Sequence, residues 1–362
     1  MNIGAALQGA LTEAFGPTML VYALAAIGLN VHFGYTGMLN FGQAAFAAVG
    51  AYGVALTVVT FAPRWFPELN PHLTFWLGIL LGLVGAVVLA LLLGIPTLRL
   101  RADYLAIATI SAAEIIRRVL RSSTLRGWAG GSEGRSGFAD VFREYGYNLG
   151  DRLSSFGDSV GLAGLGDPLQ RGGRLTYGPF FYTASQLWVM VAGYLLVGLV
   201  LLVVWLAMRS PWGRVLKAIR EDEDAVRSLG KNVFSYKMQS LVLGGVIGAL
   251  AGFISGLITG TVLPDTFSTQ FTFFLYAMVI LGGAARVFGP VVGAMLFWFL
   301  FQFLSHILRG LAESGYLPAW LLDTTQVGPV VFIALGIGLI VLLVYRPQGL
   351  LGDRREISLD VR

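Results

Sequence analysis

The chain contains no cysteine and, among its 362 residues, only three histidines and 12% charged side chains. The first absence excludes disulfides, thiol catalysis and thiolate metal sites together, and leaves the redox compartment unreadable. His32, His72 and His306 are scattered without metal-ligand spacing, so no metal site is expected from this chain. No G-x-x-x-x-G-K-[ST] phosphate loop is present: the only Gly-Lys pair, Gly230 and Lys231, is followed by Asn232. No cofactor is therefore expected to bind here. Ionisable residues are also scarce inside the apolar runs, and this leans away from the proton or sodium relays of ion-coupled carriers. The pair Glu114 and Arg118, one turn apart, reads as mutual structural neutralisation.

What is present is apolar. Hydrophobic residues make up 56% of the chain, and charge falls well below the roughly 25% of a soluble domain. Runs such as "LGILLGLVGAVVLALLLGI" and "LWVMVAGYLLVGLVLLVVWLAM" are continuous, where barrel strands would alternate. The expectation is an all-α, polytopic transmembrane bundle of about eight to ten spans, forming one domain over residues 1–362. Helices are predicted near 10–30, 38–61, 73–95, 102–121, 187–208, 237–260, 270–285, 289–309 and 328–345. The 270–285 run is short, and 38–61 begins in a glycine-rich turn, so both are candidates for half-helices. The N-terminus lacks the basic region and cleavage site of a secretory signal, and the first span is expected to be retained.

The net charge of +5 is read as an excess of Lys and Arg in cytoplasmic loops, not as a nucleic-acid footprint. With 210–232 and the tail 346–362 both cytoplasmic, Arg99, Arg101 and Arg286 also fall inside. The N-terminus, without Lys or Arg before Arg64, falls outside. Arg117, Arg118 and Arg121 are the exceptions. Residues 122–182, rich in Gly, Ser, Arg and Asp, are then an extended extracytoplasmic loop with room for short helices.

Two stretches carry functional signals. In "SPWGRVLKAIREDEDAVRSLGKN", Ser210 is placed to cap a helix, Pro211 to begin it and Gly230 to end it. Val215, Leu216, Ile219, Val226 and Leu229 form its apolar stripe. Arg214, Lys217, Arg220, Arg227 and the acidic run Glu221 to Asp224 line the other face. Four consecutive acids disfavour an anionic lipid surface and favour a protein partner over a helix folded back on its own bundle. In "GYTGMLNFGQAAFAAVGAYGVAL", closely spaced glycines allow a broken helix. Thr36, Asn40 and Gln43 are its polar groups, against the alternative of a tight turn with small-residue packing. The stretch "GGAARVFGPVVGAM" repeats the turn and hints at internal pseudo-symmetry.

Several stretches together resemble the membrane subunit of branched-chain amino acid ABC importers, of the LivM type. They are "GYTGMLNFGQAAFAAVGAY", "PTLRLRADYLAIATISAAEIIRR", "GGSEGRSGF", "SPWGRVLKAIREDEDAVRSLGKNVFSYKMQSLVLGGVIGALAGF", "LGGAARVFGPVVGAM" and "YRPQGLLG", in that order. The resemblance implies a multi-pass subunit of the cell membrane with its C-terminus in the cytoplasm and no catalysis of its own. Its implied partners are a second homologous permease, two cytoplasmic ATPases that bind ATP and Mg, and an extracytoplasmic solute-binding protein. It implies an ATPase-coupling role for Gly213, Arg214, Ala218, Ile219, Arg220, Glu221 and Asp222, the stripe filling a groove of the ATPase. Tyr35, Asn40 and Gln43 are the expected substrate path, and Gly130, Gly131 and Ser132 the expected docking point for the binding protein. Arg135 after Gly134, and the length of the following loop, depart from the family pattern. Urea or short amides remain the alternative solutes, and an ion-coupled carrier or channel the alternative class.

Overall fold

In hydrocarbon an unbroken apolar run must pair its own backbone, and a single segment does so only as a helix. The computed structural model describes residues 3–100, 102–160, 166–177, 180–313, 325–346 and 348–352. Its main helices are α1 (Ile3–Ala14), α2 (Pro17–Tyr35), α3 (Gln43–Trp65), α4 (Pro71–Thr97), α5 (Ala102–Arg121), α6 (Asp140–Val160) and α7 (Ala184–Arg209). They continue with α8 (Pro211–Glu221), α9 (Glu223–Ser228), α10 (Val233–Thr259), α11 (Thr269–Gly282), α12 (Gly289–Glu313) and α13 (Val327–Tyr345). Seven of these, α2, α3, α4, α7, α10, α12 and α13, are long and apolar enough to span a membrane, and α11 is a shorter apolar helix.

Two of the predicted spans differ from expectation. The run predicted at 10–30 divides, because Gly16 and Pro17 end α1 and start α2 afresh, with Pro17 in the first turn where its missing N–H costs nothing. Helix α5 forms over the predicted residues but is not one of the seven apolar spans. Asp103, Glu114, Arg117, Arg118 and Arg121 give it a polar face.

The spans are unequal in depth. In α2, 83% of the apolar window is buried by the rest of the chain, against 17% in α12 and 11% in α13. So α2 lies at the centre, while α12 and α13 present Leu300, Ile337, Ile340 and Val344 outward, as lipid-facing helices do. Helix α10 packs on both α2 and α3, and it crosses α3 at backbone contact. A Cβ on Gly50 would lie 2.0 Å from Ala249 O, and one on Gly252 would lie 1.8 Å from Ala47 O. No larger residue fits that crossing.

The stretch expected as a loop, 122–182, carries regular structure in its described residues. It contains α6, a short strand β1 (Arg135–Ser136), and an antiparallel pair of β2 (Arg174–Tyr177) with β3 (Phe180–Thr183), in the register Arg174 to Thr183. The short strand Arg135–Ser136 pairs antiparallel with Thr261–Val262 after α10. Tyr182 donates to Thr12 O (2.7 Å), His72 Nδ1 lies 2.9 Å from Tyr145 Oη, and Thr60 donates to Trp128 O (3.0 Å). The region is thereby fastened across one end of the bundle, here the upper end. Asp265 joins it by pairing with Arg117 and, at 3.5 Å, Arg121, while Glu114 takes Arg117 (2.7 Å) and Arg118 (2.9 Å). The expected Glu114 to Arg118 pair is present, within a larger cluster.

Residues 210–232 and 348–352 both lie at the opposite, lower end, as the four helices α10 to α13 between them, the short α11 included, require. Leu350 N and Leu351 N donate to Leu281 O and Gly282 O, both at 3.1 Å. Arg101 and tail residues 347 and 353–362 lie outside the described residues.

Candidate functional site

The glycine-rich turn does interrupt a helix. The last turn of α2, Val31–Tyr35, is wound wider than an α-helix, Thr36 to Gly42 leave helical structure, and α3 resumes at Gln43. Gly37 has φ +73°, open at little cost only to glycine. Freed backbone and polar side chains then pair with one another inside the bundle. Asn40 Nδ2 lies 3.0 Å from His32 Nδ1, and His32 Nε2 lies 3.2 Å from Leu241 O of α10. A carbonyl only accepts, so Nε2 carries the imidazole proton and Nδ1 receives from Asn40. Asn40 Oδ1 accepts from Gly42 N (2.8 Å), and Tyr276 of α11 donates to Asn40 O (3.1 Å). Gln43 Nε2 donates to Gly244 O (3.0 Å) and Ala25 O (3.4 Å), whereas its Oε1 is buried and accepts nothing from the described residues. The hydroxyls of Thr36 and Ser240 lie 2.8 Å apart and both reach Val31 O.

Asn40 and Gln43 are thus brought together, about 1% exposed or less, between α2, α3, α10 and α11. Tyr35 is not with them. It faces a cavity of about 430 Å³ at the lower end, with Lys217 Nζ 5.9 Å from its ring centroid. The second glycine turn, 283–288, abuts the first. Asn30 accepts from Ala285 N and donates to Arg286 O, both at 2.9 Å. Phe41 stacks on Tyr276 at 4.5 Å. The repeated sequence therefore marks two chain breaks packed together. Asn30, His32, Ser240 and Tyr276 are not among the residues expected to line the path, although Asn30 and His32 stand out as polar residues in an apolar run; Thr272 of α11 joins them by accepting from Ala44 N (3.1 Å).

The charged stretch 210–232 is two helices. At Asp222 the backbone is extended (φ −153°, ψ 106°), and its Oδ1 accepts from Asp224 N (2.9 Å) and Ala225 N (3.0 Å), capping α9. Asp222 is thus occupied by its own chain. Gly230, at φ +75°, closes α9 as expected: Gly230 N donates to Arg227 O and Lys231 N to Val226 O. Ser210 precedes Pro211 as predicted, but its hydroxyl turns back to Ala207 O (2.6 Å) and makes no cap.

The apolar stripe faces the bundle. Leu216, Ile219 and Val226 are buried at 0%, 4% and 5% exposure, and Gly213 sits where a Cβ would meet Met208 Cα at 2.5 Å. The stripe packs on its own chain, so the expectation that it fills a partner's groove is corrected; Leu229, 80% exposed, does not belong to it. Arg220 also turns inward: its Nη1 donates to Gly34 O at 2.7 Å, and a Cβ on Gly37 would touch its Cγ at 3.1 Å. Glu221, Arg214, Lys217 and Ala218 remain exposed. Glu223 binds Lys237 and, at 2.5 Å, Arg227.

At the upper end, Gly130 and Gly131 are buried, at φ +84° and +58°, and Ser132 is exposed. The two glycines form the turn that carries Arg135, whose guanidinium donates to Trp128 O (2.9 Å) and Gly127 O. Of the expected docking residues only Ser132 offers a side chain. Residues 130–134 and 157–161 also spell G-x-S-x-G. Ser132 sits in a 3-10 turn and Ser159 within α6, neither on the strand-to-helix turn of a hydrolase nucleophile.

The sequence from residue 17 to 335 matches the family model described as branched-chain amino acid transport system, permease component. The high-affinity branched-chain amino acid transport system permease protein LivM of Salmonella typhimurium is 31% identical over 92% of this chain and 68% of its own length. That of Escherichia coli is 30% identical with the same coverage. The probable branched-chain amino acid transport permease protein LivM of Methanocaldococcus jannaschii is 24% identical over 93% and 92%. Seven apolar helices, one of them central and followed by the break, with this match along most of its length, make the chain a multi-pass membrane protein that belongs to the branched-chain amino acid transport permease family.

Proposed function

We propose that this chain is one permease subunit of an ATP-driven importer of branched-chain or other apolar amino acids. A second homologous permease completes the path, a solute-binding protein delivers solute at the upper, extracytoplasmic end, and two ATPases dock at the lower, cytoplasmic end. ATP and Mg belong to those ATPases. The observation that carries the reading is the double-sided geometry of 210–232. Its inner face grips the interrupted segment through Arg220 and Gly34 O, while its outer face leaves Glu221, Arg214 and Lys217 exposed for a partner. Movement imposed on the outer face reaches the break in α2 through the Arg220 to Gly34 bond, with rigid-body displacement of α7 and α10 on either side. The polar interior around Asn40 and Gln43 lies closed between four helices, and opening it along the break supplies an alternating path.

Isolation from the native membrane tests the reading. An ATPase and a second permease should co-elute, and reconstituted vesicles should accumulate leucine, isoleucine or valine in competition with one another and not with urea. Repeated purification of this chain alone, or uptake driven by an ion gradient without ATP, would overturn it.

A further inference from the structure

The lower end holds a second cavity, of about 300 Å³, between the interrupted segment at Gly37, the start of α10 and the charged stretch. Its wall is divided. Leu98, Leu105 and Ile219, all buried below a tenth of their surface, form one side. Arg220, Lys237 and Glu223 form the other. These groups are already paired: Lys237 contacts the Glu223 carboxylate, Glu223 also takes Arg227 (2.5 Å), and Arg220 lies 3.6 Å from Glu221 Oε1 besides holding Gly34 O; the two cations are mostly shielded, with side-chain exposures of 29% for Arg220 and 16% for Lys237. A zwitterion carries both signs and can exchange into such pairs, its carboxylate taking the cations and its ammonium taking Glu223. The volume sits at the bottom of the range of about 300–1,000 Å³ for small-ligand sites, which suits a single amino acid.

We propose that this cavity binds an α-amino acid with an apolar side chain, entering from the lower end. Its carboxylate goes to Arg220 and Lys237, its ammonium to Glu223, and its side chain to the leucine and isoleucine wall. The inference rests on the transport reading above for which end faces the cytoplasm. Occupancy has a direct consequence. Arg220 is the group that holds Gly34 O, and an ionised acceptor forms a stronger bond with a guanidinium than a neutral carbonyl does. A bound amino acid therefore competes with the interrupted segment for Arg220 and loosens the link between the charged helices and the path. The ligand is either solute just released or solute accumulated in the cytoplasm; the chemistry is the same.

Equilibrium binding of radiolabelled leucine to the intact complex in nanodiscs, without ATP and without solute-binding protein, tests the site apart from uptake. Loss of ATP-driven uptake would defeat the parent reading and leave this measurement standing. Leucine should bind better than glycine, which lacks the apolar group, better than leucinamide, which lacks the carboxylate, and better than inorganic phosphate. Lys237→Met should weaken leucine about tenfold, and Lys237→Arg should restore most of it, as a charge-assisted bond requires. Leu98→Asn, a second variant on the opposite wall, should reduce the preference for leucine over glycine and leave phosphate unchanged. In vesicles, leucine on the ATPase side that slows import by wild type but not by Lys237→Met identifies the accumulated pool. Slower import by Lys237→Met with no response to that leucine identifies the departing solute. Leucine bound no better than glycine and phosphate, or bound equally by wild type and both variants, would overturn the proposal.

Discussion

Arg220 and Glu221 are neighbours in sequence and paired at 3.6 Å, but only Arg220 holds a backbone carbonyl of the bundle, so replacing them one at a time separates transmission from docking. Arg220 Nη1 donates to Gly34 O at 2.7 Å from a site 29% exposed, while Glu221 is 73% exposed, so its pair with Arg220 is screened and weak. A hydrogen bond with one charged partner contributes about 1.5–3 kcal/mol. Taking about 2 kcal/mol, Arg220→Ala shifts the balance between linked and unlinked arrangements roughly thirtyfold. The ATPases should still co-purify and hydrolyse ATP, because the outer face is untouched. Solute moved per ATP should fall by about an order of magnitude or more. Glu221→Ala should do the reverse, weakening ATPase association and leaving the solute-to-ATP ratio of the assembled complexes intact. The assay is paired uptake and phosphate release in proteoliposomes, with subunit ratios read from the same preparation. An unchanged ratio in Arg220→Ala, or loss of the ATPases from it, would refute the assignment of Arg220 to the inner face.

The remaining predictions concern stability. Asn30→Ala removes both side-chain bonds to the 285–286 turn and leaves the Ala285 N–H without its acceptor, so it should cost about 2 kcal/mol, seen as a lower unfolding midpoint in detergent. Gly252→Ala places a methyl 1.8 Å from Ala47 O and should cost about 1–3 kcal/mol or abolish folding. Gly198→Ala, with nothing within 4 Å, is the matched control and should express normally in fluorescence-detected size exclusion. Asp265→Asn cuts the pairs to Arg117 and Arg121, but Asp265 is 52% exposed and screened by solvent, so the loss should stay under about 1 kcal/mol. A thermal shift larger than that in Asp265→Asn would mean the upper cluster is less solvated than its exposure indicates.

The helices were legible because the physics that forms them is local: an apolar run in lipid has one way to satisfy its backbone. The break at Thr36 to Gly42 was legible for the same reason, since the glycines there announce it. What lay beyond the sequence was direction. The stripe Leu216, Ile219 and Val226 is equally compatible with packing inward or against a partner, and only the tertiary fold decides that it turns inward. Arg220, read as a surface charge among surface charges, is drawn in by a carbonyl 186 positions away in sequence. Asp222 reads as one of four equivalent acids, yet its extended backbone makes it a cap. The stretch 122–182 looked like loop because its helix α6 is amphipathic and glycine-interrupted, and its apolar face finds a partner only on the bundle, where Phe142 meets Phe75 at 5.9 Å.

The position of the input explains why the central helix must be broken. Inside a regular helix every carbonyl is taken by the amide four residues on, so an arginine approaching from outside finds no strong acceptor there. Only where the chain leaves the helix do carbonyls become available, and Gly34, just before the break, presents one to Arg220. A side chain at residue 34 would collide with Asn30 Oδ1 at 2.0 Å and with Ala285 N at 2.5 Å. The same residue thus accepts the arginine and lets the second glycine turn close against α2. One break therefore meets three demands: an acceptor for the charged helices, room for the 283–288 turn, and polar groups at Asn40 and Gln43 facing the interior. Gly34→Ala should accordingly impair uptake even with Arg220 intact. It displaces the acceptor and the Asn30 clamp together, so its uptake-to-ATP ratio should fall at least as far as in Arg220→Ala. A Gly34→Ala transporter with a normal ratio would show that force reaches the path by another contact.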